Sequence, residues 1–144
     1  MRMELVYVNH APKTAHIPRA VLRRLALRTQ KEFSSRRPSG VVGVAFVSPA
    51  RMKLLNSTYR SADRATNVLS FASAEAGELG DIVICPSVAR KEARALAVPV
   101  SYWYGRLFVH GLLHLLGLHH RTARAQKKME RHEAAILEQG GWKV

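Results

Sequence analysis

The stretch HGLLHLLGLHH, residues 110–120, sets four histidines among leucines and glycines. Leucine at that density belongs in a core, and an imidazole placed in a core is costly unless something satisfies it. His110 and His114 are four apart, which on a helix puts both rings on one face, one turn apart. Gly117 follows three residues later, and glycine readily takes the left-handed conformation that ends a helix and turns the chain back. His120 then arrives three residues beyond the turn and can meet the other two. Three neutral nitrogen ligands suit a first-row divalent ion, zinc above all, and leave the fourth tetrahedral position open, which marks a catalytic rather than a structural site. One Zn2+ per chain is expected, held by His110, His114 and His120.

The same spacing occurs in the extended zinc-protease motif HExxHxxGxxH, with one difference. The glutamate that serves those proteases as general base is Gly111 here. Without a carboxylate beside the first ligand, activation of water for peptide hydrolysis loses its usual proton acceptor. The motif therefore argues for zinc and against a standard metalloprotease.

These residues need a scaffold, and the pattern of apolar residues supplies one. Residues 3–10 alternate weakly and read as a strand. A helix over 18–33 opens on Pro18 and places Val21, Leu22, Leu25, Thr29 and Phe33 at helical spacing. A turn at 36–40 leads into a buried strand over 41–47. Ser48 and Pro49 read as N-cap and first position of a short helix, 50–60. After a polar loop over 61–66, two strands follow at 67–72 and 80–85. Pro86 and Ser87 open a helix over 87–97, and Pro99 breaks the chain before a long apolar helix, 100–117. A last amphipathic helix, 122–140, is stopped by Gly140 and Gly141. The order implies an α+β fold: a small mixed sheet of about four strands packed with about five helices, in one domain spanning 1–144. The helix 100–117, apolar nearly all round, is expected to be the buried central helix. Trp103, Tyr102 and Tyr104 on it read as core, and the lone Cys85 as a buried structural thiol.

Charge narrows the partner. Lys and Arg number 23 against 10 Asp and Glu, a formal net charge of +13. A small domain with that imbalance works beside a polyanion, nucleic acid first. The first helix presents Arg19, Arg23, Arg24, Arg28 and Lys31. The last carries Arg121, Arg124, Lys128 and Arg131 at three- and four-residue spacing, with Lys127 and His132 near. Each is a candidate phosphate track. With one cysteine no disulfide is expected, no signal peptide is read at the start of the chain, and no apolar run is long enough to span a bilayer. A cytoplasmic location and no membrane partner are the expectation.

HGLLHLLGLHH resembles the signature HGxLHLxGYDH of the YbeY family, bacterial endoribonucleases of ribosomal RNA maturation. LNSTYR (55–60) followed by TNVLSF (66–71) is similar to the family's middle segment, and LGDIVIC (79–85) to its last strand. The resemblance covers roughly residues 40 to 132. It implies a zincin-like metal site with His110, His114 and His120 as ligands, and catalytic roles for Arg60 and His114. It also implies a single-strand-specific endoribonuclease acting in 16S ribosomal RNA 3′-end maturation and ribosome quality control. The partners implied are the small ribosomal subunit, ribosomal proteins and an assembly GTPase, with no DNA. Two positions depart from the signature: Leu118 stands where tyrosine is common, and His119 where aspartate is usual. His119 is expected to point away from the ion, since adjacent residues diverge.

The chemistry fits phosphodiester cleavage. Arg60 offers forked donors to a scissile phosphate, with Arg64 beside it in the following loop. Asp63, Glu75, Glu78 and Asp81 are the carboxylates whose loops could approach the metal as general base, and the sequence does not choose among them. Nor does it choose between a metal-bound hydroxide and the RNA's own 2′-hydroxyl as nucleophile. Two other readings stay open: another metal-dependent hydrolase, including an atypical protease, and a non-catalytic RNA-binding assembly factor with a structural metal.

Overall fold

The computed structural model describes residues 2–11, 19–36, 38–62 and 64–138. Alternation in the first strand, β1 (Met3–His10), turns Met3, Leu5 and Tyr7 inward and leaves Val6 and Val8 about half exposed. Helix α1 (Arg19–Glu32) follows and buries Leu22, Leu25, Ala26 and Thr29 along one stripe. It crosses over to β2 (Gly40–Val47), which pairs in parallel with β1. Helix α2 (Pro49–Arg60) starts as expected, with the Ser48 hydroxyl accepting from the Arg51 N–H at 3.2 Å and Pro49 in the first turn. Strands β3 (Val68–Ala72) and β4 (Glu78–Ile84) form an antiparallel hairpin, and β4 pairs in parallel with β2. The sheet order is β1-β2-β4-β3. Helices α3 (Pro86–Leu96), α4 (Val100–Leu115) and α5 (Ala123–Glu138) complete the described residues.

The mixed α+β expectation therefore holds, with four strands and five helices among the described residues. Pro18, Asp63, Gly140 and Gly141 lie outside them, so the proposed helix start, that loop carboxylate and the proposed helix stop do too. β4 begins two residues earlier than the sequence pattern implied. Its register against β2 shifts between Val41 and Val42, and Gly80, at φ +140°, lets the strand run through that irregularity. A side chain there would strike the carbonyl of Phe71 and the end of α4 at Leu115.

Because residues of a strand alternate between faces, the sheet carries two separate cores. Val42, Val44 and Phe46 of β2, with Ile82 and Ile84 of β4, meet α1, α4 and α5. Val47, Val83 and Leu69 face the other way, onto Met52 of α2, with Cys85 fully buried among them as a structural thiol. Helix α4 is the buried central helix, with Leu107, Phe108, Val109, Leu112 and Leu113 all inaccessible or nearly so. Tyr102 and Tyr104 join that core, but Trp103 is half-buried rather than enclosed. His132 is turned toward α1. Its Nδ1 lies 2.9 Å from Glu32 and its ring stacks near Phe33, so it ties α5 to α1.

Candidate metal centre and its cleft

α4 stops in the way the glycine requires. The N–H of Leu118 donates to the carbonyl of Leu113 and that of Gly117 to His114, both at 3.0 Å, with Gly117 at φ +93°. This is the paired reverse bonding of a left-handed helix cap. Nothing lies within 4 Å of a side chain built on Gly117, so glycine is needed there for its backbone angle and not for room. The helix itself therefore ends at Leu115, and Gly117 is the corner beyond it. The corner returns the chain so that ring nitrogens of His110, His114 and His120 all lie within 4.8 Å of one another. His110 and His114 are half-buried, and His120 is exposed.

The hydrogen bonds around the rings decide which nitrogens face inward. Nδ1 of His110 sits 3.0 Å from a carboxylate oxygen of Glu133, a side chain that is itself only 8% exposed. A carboxylate only accepts, so Nδ1 carries the proton and Nε2 holds the lone pair. His114 is hydrogen-bonded to the backbone of Leu118, a contact that favours its protonated form and so marks the carbonyl as acceptor. Its Nε2 lies 3.1 Å from Nε2 of His110. In the neutral rings, then, two lone pairs face each other with no proton between them. A cation resolves that contact. Tetrahedral zinc with Zn–N bonds of 2.0–2.1 Å needs nitrogens about 3.3 Å apart, close to the separation observed. Burial, then the neighbouring His110 and His120 and, more weakly, Arg60, push the His114 pKa down to about 4. His114 is therefore a neutral donor at neutral pH. The three histidines can hold a metal ion, and His110 has the carboxylate partner that orients a metal-bound imidazole.

His119 is not among the three. Its Nδ1 accepts from the N–H of Arg121 at 3.3 Å, the two-residue-on backbone bond that an aspartate makes in an Asx turn. An imidazole can thus close the turn where the family signature has aspartate.

Gly111 has a second meaning besides the missing base. A Cβ built there would lie 2.9 Å from Cγ2 of Ile82. The position after the first ligand points into the sheet, where α4 and β4 approach too closely for a side chain.

The cluster opens into a cleft of about 710 Å3 lined by α2, the 61–66 loop, β3, α4 and α5. Arg60 and Arg64 both line it. Arg60 donates weakly to the carbonyl of Ser70 at 3.4 Å, and its charge reaches His114, as the pKa shift records. Arg64 is held through the loop backbone, because buried Asn56 donates to the Arg64 carbonyl at 3.0 Å. The other basic candidates stand apart. Arg124 lines a separate shallow groove on the outside of α5 with Lys127 and Arg131. Arg121 and Lys128 are exposed and line neither.

Three of the carboxylates proposed as bases are also elsewhere. Glu75 and Glu78 are exposed at the hairpin end, Glu78 accepting from Ser73. Asp81 is exposed and projects over Gly43, on the sheet face away from α4. Among the described residues, the carboxylates that do line the cleft are Glu130 and Glu133 of α5. Sequence reasoning missed Glu133, although a signal was there: it sits at helical spacing with Met129, Ile136 and Leu137, the buried stripe of α5.

Comparison with known proteins places the chain in a family. The family model described as Endoribonuclease YbeY matches residues 8–141. The chain belongs to the YbeY family. A YbeY relative from a Geobacillus species, named Endoribonuclease YbeY, is 38% identical over 118 residues, covering 72% of this chain and 76% of that protein. A second so named, from Cupriavidus necator, is 41% identical over 102 residues, 69% of this chain; the match spans about half of that protein, 52%. The solution structure of TM1509 from Thermotoga maritima shares the fold, with a TM-score of 0.62 at 22% identity over 94% of this chain and 91% of that one.

Proposed function

We propose that this YbeY-family chain is a zinc-dependent endoribonuclease that cuts single-stranded ribosomal RNA, acting in 16S 3′-end maturation and ribosome quality control. The observation that carries the reading is the convergence of His110, His114 and His120 at the wall of a cleft that Arg60 also lines. Relatives bearing the name Endoribonuclease YbeY supply the reaction class. A zinc ion held by neutral ligands lowers the pKa of a bound water from about 16 to roughly 7, or polarises a phosphoryl oxygen.

The chain's own residues do the rest. Glu133 fixes the tautomer and aim of His110. Burial keeps His114 neutral. Arg60 grips the scissile phosphate with forked donors and steadies the charge that grows on it. Arg64 adds positive potential beside it. Arg124 and Lys128 lie along α5 and Arg121 just before it, outside the cleft, where they hold more distant phosphates. Gly111, pressed against Ile82, leaves no place for the carboxylate of a zinc protease, which weighs against peptides as substrate. No helix among the described residues is long and apolar enough to cross a membrane. The expected setting is the cytoplasm, on the small ribosomal subunit with its proteins and an assembly GTPase.

The test is cleavage of a single-stranded precursor ribosomal RNA fragment by purified, zinc-loaded protein. Wild type is expected to nick it, and Arg60→Ala to lose at least about a hundredfold in rate, the scale of a lost transition-state donor, with unchanged circular dichroism and zinc content. Intact RNA with wild type, or full activity in the variant, overturns the reading or the role of Arg60 respectively.

A further inference from the structure

The cleft is larger than an ion and one phosphate require. At about 710 Å3 it falls in the range of sites that enclose a whole organic ligand, roughly 300–1,000 Å3. A single stripe of α4 lines it: Trp103, Arg106, His110 and His114. With a rise of 1.5 Å per residue, Trp103 lies about 10 Å before His110 along the helix. The cleft thus has a metal end and an aromatic end.

At the aromatic end the indole is fixed in place. Its N–H donates to Glu92 at 3.0 Å, and the Asn67 amide holds both oxygens of the same carboxylate at 3.1 Å. With the N–H already engaged, what the ring offers to a ligand is its π surface. The guanidinium of Arg106 lies over that ring, 5.7 Å from its centroid, and donates to the Tyr102 hydroxyl at 3.4 Å. The two neighbouring aromatics on the helix are buried, Tyr102 at 7% and Tyr104 at 1% exposure, whereas Trp103 reaches the cleft. Trp103 packs against the core on one side and borders the cleft on another.

We infer that Trp103 and Arg106 form a nucleobase subsite, receiving the base of a nucleotide that flanks the scissile phosphate. The inference rests on the ribonuclease reading and deepens it. An indole face and a guanidinium plane stack on any of the four bases, so the subsite tolerates sequence. They stack only on a base freed from its partner. Single-strand preference then has a physical source in this cleft: a paired base cannot reach Trp103 while its phosphate sits beside the histidines.

The experiment uses intrinsic fluorescence. The chain has two tryptophans, Trp103 and Trp142, so Trp142→Phe leaves Trp103 as sole reporter. The zinc-loaded variant is mixed rapidly with a dye-labelled single-stranded RNA oligonucleotide, and emission is read before products form. An abasic oligonucleotide of equal length is the control, with binding followed separately by dye anisotropy. The expected result is quenching of Trp103 by the RNA alone, and affinity for it about 5- to 100-fold above the abasic strand. Trp103→Leu should remove that preference and Trp103→Phe should restore part of it. Anisotropy showing RNA bound while Trp103 emission is unmoved, or equal affinity for both strands, overturns the subsite and leaves the ribonuclease reading standing. No binding of either strand together with no cleavage removes both.

Discussion

α4 meets the cleft with two imidazoles on a helix otherwise buried between the sheet and its neighbours. α5 meets it with one buried carboxylate, Glu133, on a helix whose outer faces carry Arg124, Lys127, Lys128 and Arg131 in solvent. In α4 the polar residues are exceptions within an apolar element, and two of them, His110 and His114, converge with His120. In α5 charge is the rule, and the residue that matters is the one charge turned inward. Two of the three imidazoles thus stand on the rigid helix, and the amphipathic one orients the first of them.

That contrast can be broken at four points, in falling order of effect. His114→Ala removes the ring whose Nε2 faces that of His110 at 3.1 Å. Stoichiometric zinc should be lost, as measured by elemental analysis after desalting; retained zinc would mean that the three-histidine site is wrong. Gly111→Ala adds one methyl where α4 touches Ile82, and overpacking of this kind costs about 1–3 kcal/mol, read as a lowered midpoint in urea. A midpoint within error of wild type would show that α4 is less tightly seated than the 2.9 Å approach implies. Glu133→Gln keeps the shape but not the charge behind His110. Zinc affinity in a chelator competition should fall about 10- to 100-fold, and unchanged affinity would reduce α5 to a packing element. Lys128→Ala, on the outer face of α5, should weaken RNA binding evenly across sequences and flatten the salt dependence by about 0.7 in log–log slope. An unchanged slope would take Lys128 out of contact with phosphate.

The same contrast explains what the sequence revealed. The histidine cluster was legible because His110, His114, Gly117 and His120 are close in the chain, and helix geometry with its cap brings the three rings together. The strands and helices were legible from apolar period, within a residue or two at their ends. The proton acceptors were not. Glu75, Glu78 and Asp81 were plausible because loops seem free to approach anything, yet the hairpin carries the first two away and the pleat turns the third to the opposite face. Glu133, thirteen residues past His120, was legible only as a buried position of α5; its pairing with His110 comes from the packing of α5 on α4. Trp103 was legible as a residue packed on the core, but its contact with the cleft was not. A helix apolar nearly all round implies that every aromatic on it is enclosed, and the pattern cannot show that one stripe of that helix faces a cleft.

The corner at Gly117 has a thermodynamic consequence. Cross-links stabilise a fold by shortening the unfolded chain's freedom, and the gain grows with the length of the loop they close. An ion on His110, His114 and His120 ties together one short segment, whose ends the helix and its hydrogen-bonded cap have already brought into place. There is little chain entropy left for it to remove. An ion bound there would add stability by its preference for the folded state over the unfolded one, as any ligand does, and little by closing a loop.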